Sequence, residues 1–486
     1  MTGVAALVAS LLATLPHAHV DPSTGAAARP GQPNIVVVMA DDMRADELRF
    51  LPAVRRLQRS GVTFRRALSA DSLCCPARAT LLTGELAHNH RTIGNRRPTY
   101  GGYGVFSRYN DVEHLLPQWL DDQGYRTAWI GKYLNGFGWS RDPTQPDWSY
   151  FAVPVRRVYD YWTSRFAING RRTQRPGYRE VYTRHLLLRR IRHWAPDPRP
   201  FFVLYSALGP HKQQLRDGSW TAPGVQRAHD HFDTGRLSVR PSVGERDVTD
   251  KPAWLRAYAA SLPRSKGYPW LWEQRRVEAL LSLNDTVHDL VATLRSEHEL
   301  SRTVVIFTSD NGFMLREHDL LDKNKPYEES VHVPLVVRGP GFRGGGHVSQ
   351  TVSLADVNAT VRRVAGAVGR HGGDGVPLQQ VRAHPTSYAR RPVEIEGSVA
   401  SYPGWRTLLT DRIGRFYTGA VWGPYTLVRY QTGDWEYYNR RRDPWQLHNV
   451  YRADPFAGGH QALLRAWFLT HVDCRGTACN DRIPRR

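Results

Sequence analysis

From Asn34 onward, continuous apolar runs alternate with segments of helical period. NIVVVMADD is a β-branched run of the kind a central parallel strand shows when both faces are covered, and it stops at two carboxylates, Asp41 and Asp42. LPAVRRLQRSG then spaces Leu51, Val54 and Leu57 three apart, with Pro52 in the first turn and Gly61 as a stop, which predicts a helix. The alternation recurs. YRTAWIGKY follows a helix containing Leu115, Leu116, Trp119 and Leu120. PFFVLYSALGPH reads as a strand, TVVIFTSDNG follows a helix from Trp272 to Leu294, and VPLVVRGPG adds another strand. This predicts an α/β fold, a large mixed and mostly parallel sheet flanked by helices.

Beyond about Arg390 the pattern changes to short aromatic strands, GRFYTGAVW and PYTLVRYQ, and a helix near HQALLRAWFLTHV. These predict a small C-terminal α+β subdomain with an antiparallel sheet. Between Gln213 and Arg276 the periodicity weakens into Pro-, Trp- and Arg-rich sequence, expected to form long loops over a site. In open α/β sheets, ligands bind beyond the carboxyl ends of the strands. Those ends here carry Asp41, Asp42, Lys132, His211, Asp310 and Asn311.

The N-terminal run Val4 to Leu15 is too short to cross a bilayer, which needs about 20 residues, and suits the core of a signal peptide. No Lys or Arg precedes Arg29, so the usual positive region is expected upstream. The expected organisation is a signal peptide and linker over 1–33, a catalytic α/β domain over 34–390 and the C-terminal subdomain over 391–486, in a secreted or extracytoplasmic protein. Cys474 and Cys479, in DCRGTACND, are expected to close a small disulfide in an oxidising compartment.

With 66 Lys and Arg against 45 Asp and Glu, the net charge of +21 would concentrate polyanions near the surface. An Arg-rich background composition accounts for it equally well. No aromatic-interleaved basic array accompanies the charge, which argues against a dedicated nucleic-acid role.

One stretch carries more specific chemistry. SLCCPARATLLTG, Ser72 to Gly84, contains CxPxR followed by LTG, with Cys74, Pro76 and Arg78 in place. It resembles the formylglycine-dependent sulfatases, whose maturation enzyme recognises CxPxR and oxidises the cysteine to an aldehyde. The resemblance runs from Asn34 to about Val450 and is closest to the N-acetylglucosamine-6-sulfatase-like branch. It is carried also by HNH at His88 to His90, GKYLN, DVTDKPAW, SDNG, DKNKPYEES and DPWQLHNV.

The resemblance implies an alkaline-phosphatase-superfamily fold and hydrolysis of sulfate esters on a sulfated carbohydrate or an aryl sulfate. Cys74 would become 3-oxoalanine (formylglycine) through a formylglycine-generating enzyme. Calcium, with magnesium as the alternative, would be held by Asp41, Asp42, Asp310, Asn311 and residue 74. Arg78 would hold the hydrated aldehyde, Lys132 and Lys323 the sulfate, and His211 would lie near the leaving oxygen, with Asp310 helping to activate the attacking hydroxyl.

Elementary chemistry points the same way: four hard oxygen donors suit Ca²⁺ or Mg²⁺ better than zinc, and a helix beginning at Cys74 favours a bound anion. Many sulfatases carry KxH after the glycine, whereas Lys132 is followed by Tyr133 and Leu134. The base that expels sulfate is therefore open among His88, His90 and His318. Two other functions remain as alternatives, a phosphonate or phosphate ester hydrolase of the same superfamily and an inactive polyanion-binding protein.

Overall fold

Strand β1 (Asn34–Ala40) is buried along its whole length, as its unbroken apolar run requires. It opens the described part of a computed structural model covering residues 31–96, 101–138, 148–174, 177–235, 239–245, 247–261, 270–369, 372–398, 410–453 and 459–485. The expected signal-peptide segment up to residue 30 lies outside the described residues. After β1 come α1 (Pro52–Ser60), β2 (Val62–Leu68), α2 (Cys74–Thr83) and β3 (Arg126–Gly131). β4 (Tyr150–Arg156), β5 (Arg165–Ile168), β6 (Arg171–Gln174), α3 (Arg179–Trp194) and β7 (Phe201–Ser206) follow.

The segment expected to be long loops also holds regular structure: the hairpin β8 (Gln213–Gln214) and β9 (Trp220–Thr221), and α4 (Ala253–Ser261). The expected long helix is α5 (Trp270–Ser296). Then come β10 (Thr303–Ser309), the hairpin β11 (Met314–Leu315) and β12 (Leu321–Asp322), β13 (His332–Val333), β14 (Leu335–Arg338), β15 (His347–Ser353) and α6 (Leu354–Ala365). The chain ends with β16 (Val393–Ser398), β17 (Arg415–Trp422), β18 (Tyr425–Tyr430), β19 (Trp435–Asn439) and α7 (His460–His471).

The main sheet runs β13-β2-β14-β10-β1-β7-β3-β4-β5-β6, with β15 also paired to β2. Its centre, β10-β1-β7-β3-β4, is parallel, and antiparallel pairs lie on both flanks. Ile35, Val37 and Met39 of β1 face a core shared with Leu81 of α2 and Val357 of α6. Val36 and Val38 face another, with Leu57 of α1, Leu187 of α3 and Leu280 of α5. Each fully buried Val or Leu contributes about 1.5–3 kcal/mol, so two-sided burial strongly anchors β1.

Register does the positioning. Ala40 pairs with Ser309, Met39 with Ser206, and Gly131 with Ser206, so β1, β10, β7 and β3 end nearly level. The antiparallel sheet β16-β17-β18-β19 packs one face on Leu464, Trp467 and Phe468 of α7. Its other face meets Leu68, Trp254, Met314 and Tyr327, which support the loops at that end of the main sheet. Cys474 and Cys479 form a disulfide. No helix among the described residues is long and apolar enough to cross a membrane.

Candidate active site

The level strand ends bring Asp41 and Asp42 from β1, Lys132 after β3, His211 after β7, and Asp310 and Asn311 after β10 to one place. Cys74, the first residue of α2, completes the cluster. Its helix is stopped by Gly84 of the LTG triplet, in the left-handed conformation at φ 77°. The glycine before Lys132 has a similar steric reason: Gly131 has φ 107°, and a Cβ there would collide with the Ser206 carbonyl.

Cys74 Sγ lies 3.4 Å from Asp41 Oδ1 and 4.0 Å from Asp42 Oδ1, and Lys323 Nζ donates to it at 2.8 Å. Burial, then the neighbouring Asp41, pushes the thiol up to about 12. Lys132 pairs with Asp41, and Lys323 with Asp42. Burial, then Asp310, raises Asp41 to about 7, with Lys132 opposing. For Asp42, burial is outweighed by Lys323 and Lys132, which hold it below the usual carboxylate range.

Arg78 is wholly buried, and its Nε donates to Asp310 Oδ2 at 2.9 Å. Its Nη1 donates to the Lys132 carbonyl at 2.5 Å and to Ser206 Oγ at 2.6 Å, so one guanidinium ties three strand ends together. Asn311 Nδ2 donates to Asp42 Oδ1 at 2.7 Å. His211 Nδ1–H donates to the Lys212 carbonyl at 2.6 Å, which leaves Nε2 3.6 Å from Asp42 Oδ2.

A divalent cation fits this donor set. Asp42 Oδ2 and Asn311 Oδ1 are buried without a hydrogen-bond partner, an expensive state that a hard cation would relieve. Candidate ligand atoms of Asp41, Asp42, Cys74 and His211 also lie within 4.8 Å of one another.

Residues 33–367 match the family model described as Sulfatase. The chain belongs to the sulfatase family. It is 27% identical over 507 residues to an arylsulfatase of Chlamydomonas reinhardtii, covering 94% of this chain and 77% of that one. It is 28% identical over 518 residues to the N-acetylglucosamine-6-sulfatase of Capra hircus, covering 95% and 87%. In fold it resembles BT4656, solved with its substrate D-glucosamine-2-N,6-O-disulfate, at a TM-score of 0.71 and 18% identity over 91% of this chain and 98% of that one. The main sheet and the C-terminal antiparallel sheet thus make up a fold shared with that solved structure.

Within this sulfatase, the three histidines left open as the expelling base each have at least one ring nitrogen beside a partner other than Cys74. His88 Nδ1 lies 3.2 Å from Glu396 Oε1, His90 Nε2 is 3.1 Å from Thr80 Oγ1, and His318 Nδ1 is 2.5 Å from Glu245 Oε2. Lys325 Nζ donates to the Lys323 carbonyl at 2.9 Å, while Lys323 is the lysine that meets Cys74. Cys75 is buried in the apolar core beside the sheet.

Sequence reasoning missed Ser206, Tyr159 and Arg276. Tyr159 stacks on His211 with ring centroids 4.5 Å apart and receives Lys132 Nζ at 4.8 Å over its ring. Ser206 closes a legible strand, but nothing in the sequence pairs it with Arg78. Tyr159 lies where the periodic pattern offers no placement.

Proposed function

We propose that this sulfatase releases sulfate from a sulfated sugar, using a formylglycine made from Cys74 and a bound calcium or magnesium ion. The observation that carries this reading is Cys74 at a helix start, surrounded by Asp41, Asp42 and Lys323, beside two orphaned buried oxygens. The named sugar-sulfatase relative supports the substrate class.

Asp41, Asp42, Asp310, Asn311 and residue 74 would hold the ion. When present, the hydrated aldehyde supplies the nucleophilic oxygen and the cation neutralises charge on the sulfate. Lys132 and Lys323 bind and orient the anion. Asp310 accepts the proton of the attacking hydroxyl, and Arg78 keeps its carboxylate aligned. His211 or Lys323 holds the proton that the departing sugar oxygen takes up. Export is proposed from the Val4–Leu15 run, in keeping with the Cys474–Cys479 disulfide.

The test is the mass of tryptic peptide Ala67–Arg78 from protein made with a formylglycine-generating enzyme, followed by assay of sulfate release. An aldehyde at position 74 with turnover is expected. An unmodified thiol, while a control substrate is converted, rejects this reading in favour of a polyanion-binding protein. Phosphonate or phosphate ester hydrolysis is the second reading, since the same cationic set neutralises either anion; kcat/KM higher on aryl phosphonate than on aryl sulfate would select it.

A further inference from the structure

Outward from His211, the site continues as an aromatic wall. Trp220, on β9, lies with its ring centroid 5.2 Å from Tyr159 and 5.9 Å from His211. Lys212 Nζ lies 5.0 Å over the indole and pairs with Asp322, next to Lys323. The hairpin is fastened in this position: Gln214 pairs with Trp220 across it, and Gln214 N–H donates to the Tyr159 carbonyl at 3.0 Å. Despite these contacts, Trp220 keeps 36% of its surface exposed.

A large apolar ring held rigidly at the mouth of a charged site offers contact area at little ordering cost. A pyranose matches it, because its C–H face is apolar while hydroxyls around its rim can meet Lys212 and Asp322. We propose that Trp220 is a specificity-determining residue that packs against the pyranose ring carrying the sulfate ester. The inference rests on the sulfate-ester reading above and deepens it.

Kinetics of the full-length, matured protein on N-acetylglucosamine 6-sulfate, with inorganic sulfate as inhibitor, test it. Trp220→Ala should raise KM about tenfold, change kcat by less than about threefold and leave inhibition by sulfate unaltered. Trp220→Phe should recover most of the lost KM. Unchanged KM in Trp220→Ala overturns the inference, and so does a parallel loss of sulfate inhibition, which would make Trp220 a support for His211.

Calorimetric binding of the same sugar sulfate to Cys74→Ala separates this inference from the catalytic reading. Binding that weakens when Trp220→Ala is added supports the subsite even where the wild type shows no turnover. Equal binding by the single and double variants overturns it.

Discussion

Asp42 combines a buried carboxylate with a backbone φ of 72°, a conformation that disfavours non-glycine residues by roughly 1–2 kcal/mol. Aspartate tolerates it better than most side chains, and glycine would supply no carboxylate oxygen for the proposed cation. Its N–H donates to Asp310 Oδ1 at 3.0 Å, and its carbonyl accepts from Arg276 Nη2 at 2.6 Å. Arg276 is itself clamped by Glu47, through Nε at 2.7 Å and Nη2 at 2.8 Å. If Asp42 holds the proposed calcium, Arg276→Gln is expected to weaken calcium binding by about 10–100-fold, as loss of outer partners of a metal site commonly does. The check is the calcium concentration that restores Tm after chelation. Chelation should lower the wild-type Tm, because it removes the stabilisation that a ligand bound only by the folded state provides; an unchanged calcium midpoint in the variant would refute Arg276's part. Asp42 was legible from its strand end, whereas Arg276 was not, since the pairing spans 234 positions and follows no local pattern.

Between elements, His88 ties the turn after α2 to the C-terminal sheet. Its Nδ1 meets Glu396 of β16, its Nε2–H donates to the Cys474 carbonyl at 2.8 Å, and Arg415 of β17 lies 3.4 Å from Glu396. Against burial, Glu396 and Glu394 raise His88 to about 10. Against burial, His88 and Arg415 hold Glu396 at about 2. The His88 contribution is complete below its ordinary value of 6.5 and is lost as pH rises through about 10. That of Glu396 is complete above its ordinary 4.5 and is lost as pH falls through about 2. Glu394, pushed well above its ordinary range by burial, contributes stability that is complete below its ordinary 4.5 and is lost as pH rises from there. His88→Gln should flatten the fall of Tm between pH 6.5 and 10, and a slope equal to the wild type's would sink this account. The HNH triplet was readable as a motif, but the structure turns His88 toward β16 instead of Cys74.

Across the whole molecule, the charge of +21 bears on which substrate the proposed sugar-sulfatase activity would favour. A basic surface raises the local concentration of a polyanion far more than that of a monosulfated sugar, and salt screens this within about 10 Å at 0.1 M. On a sulfated polymer, KM is expected to rise several-fold between about 50 and 300 mM salt, against less than about twofold for a monosulfated sugar. Equal salt responses would reduce the charge to background composition.

The sequence by itself determined the α/β class, the apolar strands and the residues at their ends, because apolar period and side-chain chemistry are local properties. It also exposed Cys74 and Arg78, whose spacing is local to one helix. Only the tertiary structure decided which strand ends meet: Asp42 and Asp310 lie 268 positions apart and come together through the β1 to β10 register. It also sent His88, His90 and His318 to other partners and brought Trp220, from a segment of weak periodicity, beside His211. These outcomes depend on contacts between distant parts of the chain, and no short-range pattern encodes them.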